Sequence, residues 1–236
     1  MKNQVGNTML KIHRLLLTAS TLLFALNAQA GNAYLQLEAG QSRSDINISH
    51  FEAFNNSIEA AGGSARFTEN KTDTALIIGV GYEYSPHFAV EVSYLNLGEA
   101  SAYSETTDTA AGITRYRTIK ESVEQDALML SLIGQLPLTE QWQLRGSLGL
   151  AWLDQASRGE ASGVSRNNVG TVMSETSEST RQSSHEWVLA LGLGVGYQFK
   201  PEWQLQLNWR RLLNTAPALL GKQNVDVITA GVSYRF

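Results

Sequence analysis

One stretch limits the fold more than any other: WVLALGLGVGYQF, residues 187–199. Trp187, Leu189, Leu191, Leu193, Val195, Tyr197 and Phe199 occupy every second position. Between them stand Ala190, Gly192, Gly194, Gly196 and Gln198, with Val188 the only apolar residue of any size. Side chains on a strand point alternately to opposite faces, so this is a strand with one bulky apolar face and one nearly empty face. A single such strand fits a soluble core. A repeated one, with alternating short and long separators, is the signature of a transmembrane β-barrel.

The pattern repeats in eight segments: 33–41, 74–84, 88–97, 124–136, 142–153, 187–199, 203–212 and 224–236. The separators 85–87, 137–141 and 200–202 are short, whereas 42–73, 98–122 and 154–184 are long and polar and 213–223 is of moderate length. An even-stranded barrel puts short turns and both termini on the periplasmic side and long loops outside. The expected fold is therefore all-β, an eight-stranded antiparallel transmembrane barrel. A soluble eight-stranded barrel would turn its apolar face inward and its polar face to water. Here the non-bulky face carries Gly, Ala, Ser, Gln and charges, which suits a crowded polar lumen. Within 42–73, Ser49 and Glu52 fit a capping box and Phe51, Phe54 and Ile58 share one helical face. Gly62 and Gly63 supply a stop, so a short helix is predicted over 50–61. It would rest on the barrel mouth or on the lipid surface. Residues 112–122 still alternate, on polar side chains, so the fourth strand is expected to begin in water above the membrane.

The N-terminus reads as an export signal. Lys2, Lys11 and Arg14 precede an apolar segment, 15–26, which is followed by Ala28-Gln29-Ala30. These are the charged region, apolar region and cleavage site of a signal peptide. The apolar segment is too short to be an anchor, because spanning takes about 20 residues. Residues 1–30 are therefore expected to be removed and 31–236 to form one barrel domain. That domain has no run long enough for a transmembrane helix. The chain has no cysteine, which excludes a disulfide framework and thiolate metal sites. The mature domain has 15 basic and 22 acidic residues, a net charge of −7, which argues against nucleic acid as a partner.

Aromatic residues mark both ends of the apolar face. Trp142 and Trp152 lie ten residues apart on one side of one strand. At about 3.3 Å per residue and a tilt of about 40° they are separated by roughly 25 Å along the axis, the height of a barrel's apolar band. Phe88, Trp142, Phe199, Trp203 and Phe236 are expected to form the periplasmic girdle. Tyr94, Trp152, Trp187 and Trp209 are expected to form the outer one.

With these strands in place, the chain resembles small outer-membrane barrels, in particular the transmembrane domain of outer-membrane protein A and the opacity-type surface proteins. The ending Gly231-Val232-Ser233-Tyr234-Arg235-Phe236 looks like the terminal strand of that group. The resemblance implies an integral place in the outer membrane of a Gram-negative bacterium, among its lipid and lipopolysaccharide. It also implies that Val232, Tyr234 and Phe236 are read by the barrel-assembly machinery. The chain ends at the eighth strand, so the resemblance gives no expectation of a cell-wall-binding domain.

Parity places Glu38, Glu83, Glu91, Arg145, Arg210 and Arg235 on the inward face. A barrel of eight strands is just wide enough inside for side chains, and isolated buried charge is expensive. These six are expected to pair into a network that blocks the lumen, with a gated or narrow passive pore as the alternative. Inward Gly79, Gly81, Gly192, Gly194, Gly196 and Gly231 would make room for the long arginines. Gly192-x-Gly194-x-Gly196 is no nucleotide fingerprint, since that motif needs a turn and a following helix.

Chemistry is sparse. Ser183 and His185 share one face near the outer rim, and adjacent Glu186 would complete the raw material for acyl transfer to or from a lipid. Glu186 has the opposite parity and serine is abundant here, so no catalytic residue is assigned. His50 and His87 have no second ligand at metal spacing, and no metal or cofactor is expected. Arg115, Tyr116, Arg117 and Lys120 form a local basic-aromatic patch able to meet lipid phosphates. Long loops on a rigid scaffold usually carry the interactions. The expected role is therefore structural or adhesive, exercised on a host or surface ligand through the outer loops.

Overall fold

The computed structural model describes residues 32–45, 49–215 and 223–236. The expected signal peptide and its cleavage site lie outside them. The described chain forms nine strands and one helix: β1 (Ala33–Ser44), α1 (Ser49–Ala60), β2 (Ser64–Asn70), β3 (Thr72–Ser85), β4 (Phe88–Ala110), β5 (Ile113–Pro137), β6 (Trp142–Asn167), β7 (Val172–Lys200), β8 (Trp203–Thr215) and β9 (Gln223–Arg235). All pairings are antiparallel, and the β1–β9 and β4–β5 ladders complete a ring of eight. The ninth strand adds no wall. Below, β4 pairs with β3 through Phe88–Asn96; above, it pairs with β2 through Ser101–Thr107. β2 therefore continues the line of β3 after a break at Lys71.

That break is matched across the ladder. Gly98 takes φ +74°, which shifts the β4–β5 register between Asn96 and Glu99. The Asp73 carboxylate accepts the Glu99 amide at 2.7 Å. A Cβ on Gly98 would stand 2.5 Å from an Asp73 carboxylate oxygen, so both the dihedral and the space require glycine.

The bulky face points away from the ring. Leu37, Leu76, Leu128, Leu130, Leu132, Leu148, Leu150, Leu205 and Leu207 are all exposed, while Gln36, Glu38, Glu91, Arg145 and Arg210 are buried. This is the reverse of a soluble protein and the arrangement that hydrocarbon solvates. Replacing Leu132, 52 % exposed in mid-band, with Lys is expected to lower unfolding stability in lipid by about 2–4 kcal/mol. Lys at Thr118, beyond the band, should cost far less; urea titration in bilayers compares the two.

The long polar segments are not loops. β4 to β7 are 23–29 residues long, whereas β1, β3, β8 and β9 have 12–14. A tilted strand needs about 9–11 residues to cross a membrane, so the four long strands run on well past it. Segment 98–122 becomes a hairpin that turns at Ala111 (φ 50°) and Gly112 (φ 74°), the paired positive dihedrals of a tight hairpin turn. Segment 154–184 becomes a second hairpin that turns at 168–171. There the Asn167 side chain accepts from the Val169 and Thr171 amides at 3.1 and 2.8 Å. Strand ladders satisfy their own backbone hydrogen bonds, so alternation of Ser, Thr and charges sustains a strand in water without a core.

The helix observed, Ser49–Ala60, lies one residue from the predicted span. It ends in a Schellman motif: the Gly63 amide donates to Ile58 and the Gly62 amide to Glu59, both at 2.9 Å, with Gly62 at φ +82°. It does not lie on lipid. It packs on the inner face of the outer sheet, where Phe51 is 1 % exposed among Ala100, Ala102 and Val123, with Phe67 and Ile119 against them.

Candidate functional site

Three layers fill the lumen, and strand alternation builds each of them. At the short-turn end, the Glu91 carboxylate accepts from Tyr34 Oη at 2.9 Å and Gln36 Nε2 at 2.6 Å, and Arg145 stands 3.6 Å away. Arg145 also donates to Gln206. Nearer the opening, Arg235 meets Glu83 at 2.6 Å.

The second layer is centred on Glu38. Arg210 grips it bidentately, with contacts of 2.6 and 2.8 Å. Asn208 donates to the same carboxylate at 3.0 Å, and the Thr229 hydroxyl donates as well. Both ionised groups are buried, Glu38 to 4 % exposure and Arg210 to 5 %. The six inward charges thus fall into three pairs on different strands: Glu38 with Arg210, Glu91 with Arg145 and Glu83 with Arg235.

The third layer is apolar. Ile77, Leu95, Leu97, Met129, Leu153, Leu212, Val225 and Val227 form one buried cluster with inward alanines and Val188. Sequence reasoning treated the inward face as uniformly polar and missed it. The signal was available: near the outer end of several strands both parities are apolar, as in Leu76-Ile77-Ile78 and Ala127-Leu128-Met129. Beyond this layer Ser44 donates to Gln125 at 3.0 Å, and further out lies α1.

The inward glycines serve mostly neutral neighbours, not arginines. A Cβ on Gly81 would stand 2.1 Å from the Tyr34 ring, and one on Gly194 would stand 2.1 Å from the Asn208 amide. Gly79, Gly196 and Gly231 face Gln36, Gln204 and Glu38 in the same way. Only Gly192 adjoins an arginine, with Arg210 Cγ 3.2 Å from where its Cβ would be. These side chains need the space because each lies across a glycine of the adjacent strand: Tyr34 stands opposite Gly81, Gln36 opposite Gly79, Glu38 opposite Gly231 and Asn208 opposite Gly194.

Outside the ring, the aromatic residues lie in two belts. At the short-turn end Trp142 packs on Tyr197 at 4.8 Å, Trp203 on Tyr234 at 4.9 Å and Tyr234 on Phe236 at 5.2 Å, with Phe88 and Phe199 exposed nearby. At the other end Trp152 meets Trp187 at 5.0 Å. There Tyr94 donates to Asp126 at 2.7 Å and Trp209 to Asp226 at 3.1 Å. Arg211 binds Asp226 bidentately and lies 5.6 Å from the Trp209 ring. Val232, Tyr234 and Phe236 lie on or beside β9, whose register with β1 runs to Arg235 opposite Tyr34.

Ser183, His185 and Glu186 do not assemble. His185 stacks on Trp152 and pairs with Asp154 at 3.2 Å, while Glu186 lies on the other face opposite Leu153. The basic-aromatic patch is divided in the same way. Arg115 and Arg117 both turn to Asp108, at 3.1 and 3.4 Å, whereas Tyr116 and Lys120 occupy the other face. One-residue alternation separates what sequence proximity had grouped. His87 sits in a tight turn near the Gln135 carbonyl.

No curated protein sequence matches. Among solved structures, Neisserial surface protein A is similar over 86 % of this chain and 97 % of that one, at 13 % identity and a TM-score of 0.49. Ail, the attachment invasion locus protein of Yersinia pestis, is similar over 88 % and 100 %, at 15 % identity and a TM-score of 0.43. The N-terminal β-barrel domain of Pseudomonas aeruginosa OprF is similar over 87 % and 99 %, at 12 % identity and a TM-score of 0.34. The family model described as the outer membrane protein beta-barrel domain matches residues 16–236, and the chain belongs to that family of the outer membrane.

Proposed function

We propose that this protein works at the cell surface as a structural or adhesin-like barrel, and that its lumen is a plug. The observation that carries the reading is the outer sheet. β4 to β7 and β2 continue beyond the outer aromatic belt, and the tips carry exposed polar side chains on both faces. A barrel that served only to cross the membrane has no use for such extensions. Its partners in this reading are a surface ligand at the hairpins and lipopolysaccharide around the outer belt. The assembly machinery would meet β9 during insertion, after residues 1–30 had directed export.

The plug reading rests on the layers of the lumen. Ions shed hydration reluctantly, and a path past Glu38–Arg210 leads directly into the apolar cluster. Planar bilayers are expected to show no steady single channels. Large, stable openings in the wild type would favour the passive-channel alternative. Cells displaying the protein are expected to bind extracellular matrix. Replacing 102–121 and 159–180 by Asn-Gly turns should abolish that binding while leaving the barrel folded. Equal binding by the trimmed protein would defeat the surface reading.

A further inference from the structure

The two sides of β7 are not equivalent. β7 pairs with β6 from Val172 to Tyr197, but with β8 only from Ala190 to Lys200. Among the described residues, no strand flanks 172–189 on the β8 side. The direction of its backbone groups follows from one contact. The Gln198 amide donates to the Gln141 carbonyl, and the β6–β7 register then runs unshifted from Trp142 opposite Tyr197 to Ser165 opposite Ser174. Bonded pairs recur at every second residue of an antiparallel ladder. Even-numbered residues of β7 therefore bond to β6. Glu175, Ser177, Ser179, Arg181, Ser183 and His185 turn their N–H and C=O groups to the open side.

Such an edge is a template for another strand, and proteins usually blunt it with proline, bulges or lysine. From Val172 to Trp187 there is no proline, glycine or lysine. The residues 172–183 are exposed on both faces. What distinguishes the edge is its charge order: Glu175 on one face, Glu178 on the other, Arg181 back on the first.

Resting on the surface-interaction reading above, we propose that this edge is a strand-addition site for an extended segment of another protein. Antiparallel to β7, that segment carries an acidic residue opposite Arg181, a basic residue three positions on opposite Glu178, and a second basic residue three further on opposite Glu175. Main-chain hydrogen bonds supply the affinity and the three charges supply the selection. A second copy in the same membrane fits poorly. A two-fold along the membrane normal would run the two β7 edges parallel with each edge N–H level with its own twin, out of step with the slanted bonding that a parallel ladder needs.

The probe is the peptide TVETVKTVKT, with a scrambled control, titrated by fluorescence anisotropy against the full chain in lipid nanodiscs. Saturable binding of the ordered peptide alone is expected. Combined Ser177→Pro and Ser179→Pro removes two edge donors without touching a β6 bond, and should weaken binding by roughly thirtyfold. Combined Ser177→Ala and Ser179→Ala should leave it unchanged. Glu178→Lys should reject the peptide and accept one with glutamate in place of the first lysine. Folding of each variant is checked by its mobility in unboiled gels. No binding by the wild type, or equal binding by the proline pair, overturns the proposal. A dimer in sedimentation that the prolines abolish also overturns it, in favour of a second copy. Matrix adhesion separates the two readings: if the wild type adheres but does not bind the peptide, the edge proposal fails and the surface role stands. If the wild type does not adhere but binds the peptide, the surface role fails and the edge remains a binding site.

Discussion

Glu38→Ala is expected to destabilise the barrel by about 3–5 kcal/mol, because it removes one half of a buried ion pair and strands the other. Arg210 is held in the ring by two contacts to Glu38 and one, at 3.3 Å, to Thr229. Without the carboxylate, a guanidinium buried to 5 % exposure keeps a single neutral acceptor among the contacts seen here. The Thr229 hydroxyl loses its acceptor as well, and Asn208 keeps only a 3.4 Å contact to Gln206. Arg210→Ala leaves Glu38 with only those two neutral donors and should cost a similar amount. The combined Glu38→Leu and Arg210→Met variant is expected to cost much less than the two truncations together, since it leaves no buried charge. Urea unfolding in lipid, followed by tryptophan fluorescence, measures all three. Additive losses would mean that the pair is solvated in the folded protein and that the lumen holds water at this depth. Arg235→Ala, in the pair nearest the opening, is the internal comparison. Its guanidinium is 34 % exposed, so water replaces much of what Glu83 provides and the loss should be smaller.

These pairs illustrate what the sequence made legible and what it did not. Parity alone assigned Glu38, Arg210, Glu91, Arg145, Glu83 and Arg235 to one face, because a period of two leaves no freedom once the bulky face is fixed. It did not identify partners. Glu38 and Arg210 lie on β1 and β8, which are not neighbours in the ring; β9 stands between them. Who meets whom depends on strand stagger around the barrel, and stagger leaves no mark in the alternation. The outer hairpins were legible only over 112–122, where β5 begins, and the rest was missed for another reason. Segments 98–122 and 154–184 carry few large apolar side chains and no bulky apolar face, and polarity suggests loops when strands are sought through their greasy face. Yet Thr114, Tyr116, Thr118 and Lys120 alternate, and the same reading extended to 154–184 would have found β6 and β7. The apolar layer beyond Arg210 was hidden by the opposite error. Ile77, Leu95 and Leu212 each sit beside lipid-facing residues, so continuous apolar runs passed as membrane signal alone.

Phe51→Ala is expected to remove about 3–5 kcal/mol of packing, and to release α1 from the outer sheet without unfolding the ring. Among the described side chains of the helix, Phe51 is the only large one that is fully buried. It touches Phe67 of β2 at a ring separation of 5.5 Å and shares a cluster with Ala100 and Ala102 of β4 and Val123 of β5. The other attachments are weaker: Asn55 accepts from Ser104 at 2.7 Å, and Phe54 and Ile58 are half-buried. A twelve-residue helix has little stability in water without such an anchor. The loss is therefore local. Amides of 51–60 and of β2 should exchange with solvent far faster in the variant, while those of 128–136 keep their wild-type protection. β2 is included because it pairs only with β4 and has α1 as its other support. The urea midpoint of the whole barrel should scarcely move, since the ladders that close the ring run from β1 through β9 beneath this cluster. A global loss of the full amount would show that the outer sheet and the membrane ring unfold as one unit, and that α1 is a fold determinant of the barrel rather than a part of its surface.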